Sequence, residues 1–239
     1  MKEQEIDEIL KRASKGSEVV DASILSRIAK SIEPAMRPVR PLPSTWMLAG
    51  GLALLCVGVA VGGAAKLGFH GIEKLSALER GAIFPALLIF VGLAAVSWVS
   101  EMIPGSRRAV SPAVLLAAGC AGMLAVFAGV FHDYHAEHFV AAGVVCLVAG
   151  LVHAIPTGLV CWLVLRRGFA VDAVAAGLAA GTLAGLAGLG MLELHCANLE
   201  APHVMVWHTA VVLVSGLVGA AIGWVVRSRG GNDRAAVTR

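Results

Sequence analysis

The chain has 239 residues, 58% of them hydrophobic and 15% charged, and carries a net charge of +3. A charged fraction far under the roughly 25% of soluble domains excludes a water-soluble globule. So small a positive excess gives no ground for direct binding of nucleic acid; the mean hydropathy of +0.81 points to lipid instead.

The first 45 residues are polar and have a pattern of their own. Lys2 to Ser14 reads as a short amphipathic helix with Ile6, Ile9, Leu10 and Ala13 on one stripe, and Gly16 ends it. A second helix starts near Asp21 or Ser23, both suited to an N-cap, and carries Ile24, Leu25, Ile28 and Ile32. Pro34, Pro38, Pro41 and Pro43 then forbid helix and favour an extended spacer. Neither helix is long enough to be stable alone in water. The arm therefore either lies on lipid headgroups, helped by its lysines, or orders on a protein partner.

Six apolar stretches follow: Trp46–Ala65, Gly81–Ile103, Ala113–Phe131, Phe139–Leu165, Val171–Leu192 and Val204–Val226. A hydrocarbon core about 30 Å thick needs about 20 helical residues, so each is long enough to cross it. The expected fold class is all-α: a polytopic six-helix membrane bundle (46–226) with a short cytoplasmic arm (1–45) and a basic tail (227–239). Eight basic residues in the arm, Arg107 and Arg108, Arg166 and Arg167, and four in the tail fall on one side; Lys66, Lys74 and Arg80 fall on the other. By the positive-inside rule both termini are cytoplasmic. The first apolar stretch is a full span, not a short signal-peptide core, and is expected to remain as an anchor.

Glycines recur every four residues at Gly177, Gly181 and Gly185, at Gly219 and Gly223, and at Gly58 and Gly62. This spacing lets helices approach closely, so these faces are expected to pack. His153 falls near mid-bilayer, where a polar group needs a partner; a backbone carbonyl, Thr182 or Ser215 would serve.

The remaining histidines lie in or near the outer loops, notably His132, His135 and His138 in one and His195 beside Cys196 in another. Histidine and cysteine are borderline metal ligands, so His132, His135, His138 and Cys196 form a candidate site for zinc, copper or haem. The spacing fits no established metal motif. Cys56, Cys120, Cys146 and Cys161 fall within spans and read as small apolar packing residues. No paired acid and base or nucleophile and base is apparent, so no enzymatic activity is expected.

The C-terminal third runs from Arg166-Arg167-Gly168 through a Gly-rich span to Leu194-His195-Cys196, Pro202, Trp207 and a last span with Gly219 and Gly223. This series resembles the NrsF family, negative regulators of sigma factor F. The resemblance implies a membrane-bound anti-sigma factor whose amino-terminal arm holds an extracytoplasmic-function sigma factor and releases it on an envelope signal. The arm's Ile6, Leu10, Ile24, Leu25, Ile28 and Ile32 are then the expected sigma contacts, with Cys196 and His195 as sensing residues. The family also implies a pair of sensing cysteines, yet Cys196 alone falls in an outer loop. Cys146 lies eight residues past His138, about 12 Å deeper at helical rise, which argues against an intramolecular disulfide. An intermolecular bond giving a homodimer, a sulfenic acid, or metal or haem binding at Cys196 then fit. The alternative reading is a small metal-handling or transporter-type protein using the outer histidines, although the spans offer almost no carboxylates to line a path.

Overall fold

The computed structural model describes residues 43–103, 110–165, 170 and 172–237, with Ser26 and Lys30, and side chains as far as residue 228. Ser26 and Lys30 are helical. The six arm residues expected to contact a sigma factor lie outside the described residues, as do Arg107, Arg108, Arg166 and Arg167.

Among the described residues from 43 to 237 the regular elements are all helical: α1 (Thr45–Leu67), α2 (His70–Lys74), α3 (Ala77–Met102), α4 (Pro112–Val130), α5 (Phe139–Leu165), α6 (Ala173–His195), α7 (Ala201–His203), a π-turn (Val204–His208) and α8 (Thr209–Val237). Six spans result, the last running from Ala201 to Ser228. The largest difference from the hydropathy reading is at the second span, which starts at Ala77 rather than Gly81. A capping box causes it: Ser76 Oγ accepts from the Glu79 amide, and Glu79 Oε2 accepts from the Ser76 amide at 2.6 Å. That motif gives the helix an additional polar turn above its apolar run. At the starts of α1, α4 and α6 the side chains of Ser44, Ser111 and Asp172 accept from backbone amides, without the reciprocal bond. Each cap is worth about 1 kcal/mol.

Helix α6 is the centre of the bundle. Inside its most apolar window 83% of residues are buried, against 17–44% for the other spans. Its surface is alanine and glycine, which lets neighbours pack on every side. Against α8 the approach is backbone to backbone: a Cβ on Gly181 would stand 2.1 Å from the Ser215 carbonyl oxygen, and one on Gly177 2.2 Å from that of Gly219. Against α5, a Cβ on Gly188 would stand 2.3 Å from the Gly150 carbonyl oxygen. The expected packing role of the α6 and α8 glycines is therefore met. On α1 it is not: Gly58 and Gly62 face open space, and the residue in contact is the neighbouring Gly63, against His153 and Met191. The four-residue spacing marked a stripe on α1, but the packed face is one residue further round. His153 itself bonds through Nδ1 to the Ala149 carbonyl at 2.8 Å, one turn back on α5. Thr182 likewise donates to its own helix, at Leu178 O.

Candidate functional site

The loops Phe131–His138 and Cys196–Glu200 lie at the same end of the bundle as Lys66, Lys74 and Arg80; we call it the His-rich end. Here α6 stops at His195, and Cys196 caps it with its amide on Leu192 O at 2.7 Å. Because α6 is the central helix, its terminus lies inside the bundle, and Cys196 is only 7% exposed. Helix α5 enters from this same end and carries Cys146 two turns in. The two Sγ atoms are 3.5 Å apart, a van der Waals contact between thiols.

The chain then turns across the bundle end. Asn198 Oδ1 accepts from the Glu200 amide, and the Ala201 amide donates to Asp133 O at 2.6 Å, stitching the two loops together. Pro202 occupies the first turn of the next helix, followed by His203 and the π-turn. In an α-helix, residues five apart point about 140° away from each other. The wider π-turn, with its i→i+5 bonding, swings His208 back toward His203. Their rings meet edge to face with centroids 5.4 Å apart. Trp207 holds this turn in place: its indole fills the notch that the missing side chain of Gly143 leaves on α5 and packs on Phe139.

Four side chains converge as a result. One ligand-capable atom from each of Cys146, Cys196, His203 and His208 lies within 4.8 Å of all the others. Cys196 Sγ is 3.6 Å from His203 Nε2. His208 Nδ1 is 2.6 Å from Glu193 Oε1, and both side chains are buried. That bond leaves His208 Nε2 buried without a hydrogen bond, and His203 Nδ1 is in the same state. Contact with the Cys146 thiol, and then burial, push the Cys196 pKa above its ordinary value, while His203 and His208 pull it down.

Above the cluster lies α2. A Cβ on Gly71 would stand 2.7 Å from Glu193 O and 2.8 Å from Cys196 O, so α2 rests directly on the end of α6. His195 turns away from the thiols and bonds through Nδ1 to Gly68 O at 3.0 Å, while Lys74 Nζ donates to Ala197 O. A polar cleft of about 520 Å³ opens beside them, lined by Lys74, Glu79, His132, Asp133, Asn198 and Glu200 among others.

The loop histidines are placed differently from the expected ligand set. His132, His135 and His138 are all exposed, and no three metal-capable groups that include them converge among the described residues. His132 Nδ1 is 3.2 Å from Val130 O, and His138 turns the chain into α5 with φ of 54°. His135 pairs with Asp133, whose carboxylate raises the His135 pKa and is itself lowered. Cys196 thus leaves this set and joins Cys146, against the expectation that Cys146 packs within its span too deep to reach it. The depth count along α5 assumed that Cys196 stood at the surface; the buried terminus of α6 brings it down to the same level. Cys56 and Cys161 are buried in the core.

Six helices long and apolar enough to cross a membrane, with a buried thiol–imidazole cluster at one end, define an all-helical polytopic membrane protein. Residues 34–227 match the family model described as NrsF, negative regulator of sigma F. The chain belongs to that family, so a sigma factor is its partner and negative regulation of that factor its role. No curated protein and no solved structure matches the chain.

Proposed function

We propose that this protein is an inner-membrane anti-sigma factor that sequesters an extracytoplasmic-function sigma factor with residues 1–45 and releases it when the His-rich end registers a redox or metal signal in the envelope. Both termini are then cytoplasmic, as the basic-residue asymmetry favours. The stripe residues Ile6, Leu10, Ile24, Leu25, Ile28 and Ile32 act as anchors of helices that order in a groove of the sigma factor. All six precede residue 34, where the family match begins. An arm specific to its own sigma factor fits that boundary.

The observation that carries the signalling half is the 3.5 Å contact of Cys146 and Cys196 beneath the polar cleft. An oxidant removing two electrons and two protons would join them, and a disulfide needs the sulfurs to close to about 2.05 Å. That movement of about 1.5 Å draws α5 and the end of α6 together. Since α6 and α8 touch through backbone atoms, a shift of α6 is passed along the bundle rather than absorbed locally. The opposite end, which leads to the arm, receives it.

The test is capture of the purified sigma factor by the full chain in detergent micelles. Removing residues 1–42, which spares the Ser44 cap, abolishes capture, and Ile24→Asp with Ile28→Asp weakens it strongly. Undiminished capture by the shortened chain refutes the sequestration half. Undiminished capture after oxidation of Cys146 and Cys196 refutes the signalling half.

A further inference from the structure

We propose that Cys146, Cys196, His203 and His208 form a tetrahedral site for a resident Zn2+ ion, with Glu193 as the positioning residue for His208. The inference rests on the preceding reading only for its place in signalling; the ion site stands on its own geometry.

Distances come first. Zinc–sulfur bonds of about 2.3 Å and zinc–nitrogen bonds of about 2.05 Å set tetrahedral ligand atoms about 3.8 Å apart for S···S and about 3.6 Å apart for S···N. The observed separations are 3.5 Å for Cys146 Sγ to Cys196 Sγ and 3.6 Å for Cys196 Sγ to His203 Nε2. All four ligand atoms fit within 4.8 Å of one another, so small adjustments of side-chain rotamers close the tetrahedron.

Chemistry comes second. Two thiolates and two imidazoles are a ligand set that selects Zn2+, and two thiolates neutralise the ion in a buried place. Four protein ligands leave no open position, which marks a structural or sensing centre rather than a catalytic one. His208 has its Nδ1 engaged by the Glu193 carboxylate, so the tautomer with a free Nε2 is fixed and that nitrogen is presented to the ion. Without a ligand that Nε2 is a buried polar atom with no hydrogen bond, an arrangement that folded proteins avoid.

Placement comes third. The four residues belong to α5, the cap of α6, α7 and the π-turn that leads into α8. One ion therefore clamps three spanning elements at the end of the bundle. A disulfide between Cys146 and Cys196 would remove both thiolates, so the ion-loaded and the oxidised centres exclude each other.

The experiment uses the full-length protein, reduced and stripped of metal, in detergent micelles, titrated with Co2+ and then Zn2+ alone. Expected is one Co2+ per chain with a thiolate-to-cobalt charge-transfer band, the strong visible absorption of a tetrahedral centre, and displacement by Zn2+. Cys146→Ser, Cys196→Ser, His203→Ala and His208→Ala each lower the affinity at least about tenfold, and Glu193→Gln lowers it by about 10–100-fold while keeping a tetrahedral spectrum. His135→Ala and Cys120→Ser leave it unchanged. Absence of cobalt uptake by the wild type, a weak octahedral spectrum, or full affinity in a His203→Ala, His208→Ala double variant overturns the site. Where a cysteine variant loses its helical circular dichroism, Glu193→Gln decides. Sigma capture is measured on the same samples: sigma capture without cobalt uptake overturns the ion site and spares the anti-sigma reading, and cobalt uptake without sigma capture does the opposite.

Discussion

Replacing Gly181 by alanine is the sharpest test of the bundle. The added Cβ would stand 2.1 Å from Ser215 O and 3.0 Å from the Gly216 Cα, both backbone atoms that no rotamer change can move. Ordinary contact begins at 3.4 Å, so α6 and α8 must part by about 1.3 Å. A radial gap of 0.5–1 Å already forfeits about a quarter to a half of the dispersion energy across an interface. Overpacking of this kind costs about 1–3 kcal/mol, and the rigid partner places Gly181→Ala at the upper end. Gly58→Ala is the matched control: its Cβ meets nothing within 4 Å, and alanine is the better helix former by about 1 kcal/mol. The two variants should therefore differ by about 3–4 kcal/mol in opposite directions. Reversible unfolding in mixed micelles, followed by helical circular dichroism, measures the gap. Equal stabilities for the two variants would show that α6 and α8 do not meet along this face.

Three further outcomes are expected. A mild thiol oxidant such as diamide should join Cys146 to Cys196 within one chain, seen by mass spectrometry as loss of two hydrogens and by immunity of both thiols to maleimide; a predominantly dimeric product would contradict the 3.5 Å contact. Gly71→Ala pushes α2 off the end of α6 and should raise the maleimide reactivity of Cys196 several-fold, with the helical content unchanged; unaltered reactivity would mean that α2 does not shield the thiol. His135 should titrate above its ordinary 6.5 because the Asp133 carboxylate holds the charged imidazole, and Asp133→Asn should return it to that value. The pair's contribution is present below the unfolded pKa and is lost as pH rises through the elevated one, which NMR of the imidazole follows directly.

The spans were legible because lipid imposes length and hydropathy directly on the sequence; only caps such as the Ser76–Glu79 box moved their ends. The glycines of α6 and α8 were legible for a similar reason, whereas on α1 the spacing pointed at Gly58 and Gly62 and the contact fell to Gly63. The thiol–imidazole cluster was only half visible. Cys196 and its Leu-His-Cys setting stood out, but His195 next to it faces Gly68 and leaves the thiols. His203 and His208 count among the histidines near the outer loops, but a spacing of five has no common face in an α-helix and nothing local announces a π-turn, so the sequence does not single them out as ligands. Cys146 escaped because depth was counted along a single helix. The signal that could have found these residues was the run of polar types near Pro202: Glu193, His195, Cys196, Asn198, Glu200, His203 and His208 fall within sixteen consecutive positions between two apolar spans.

The alanine and glycine surface that makes α6 the axis of the bundle also makes it the least hydrophobic of the six, with a mean of 1.6 where the others reach 2.1–2.3. On its own such a segment partitions into lipid less strongly than its five companions do. Its glycine face is covered only once α8, which meets it backbone to backbone, has been made. A chain cut short before Thr209 would leave that face open to lipid, without the neighbour that its small residues are shaped to meet.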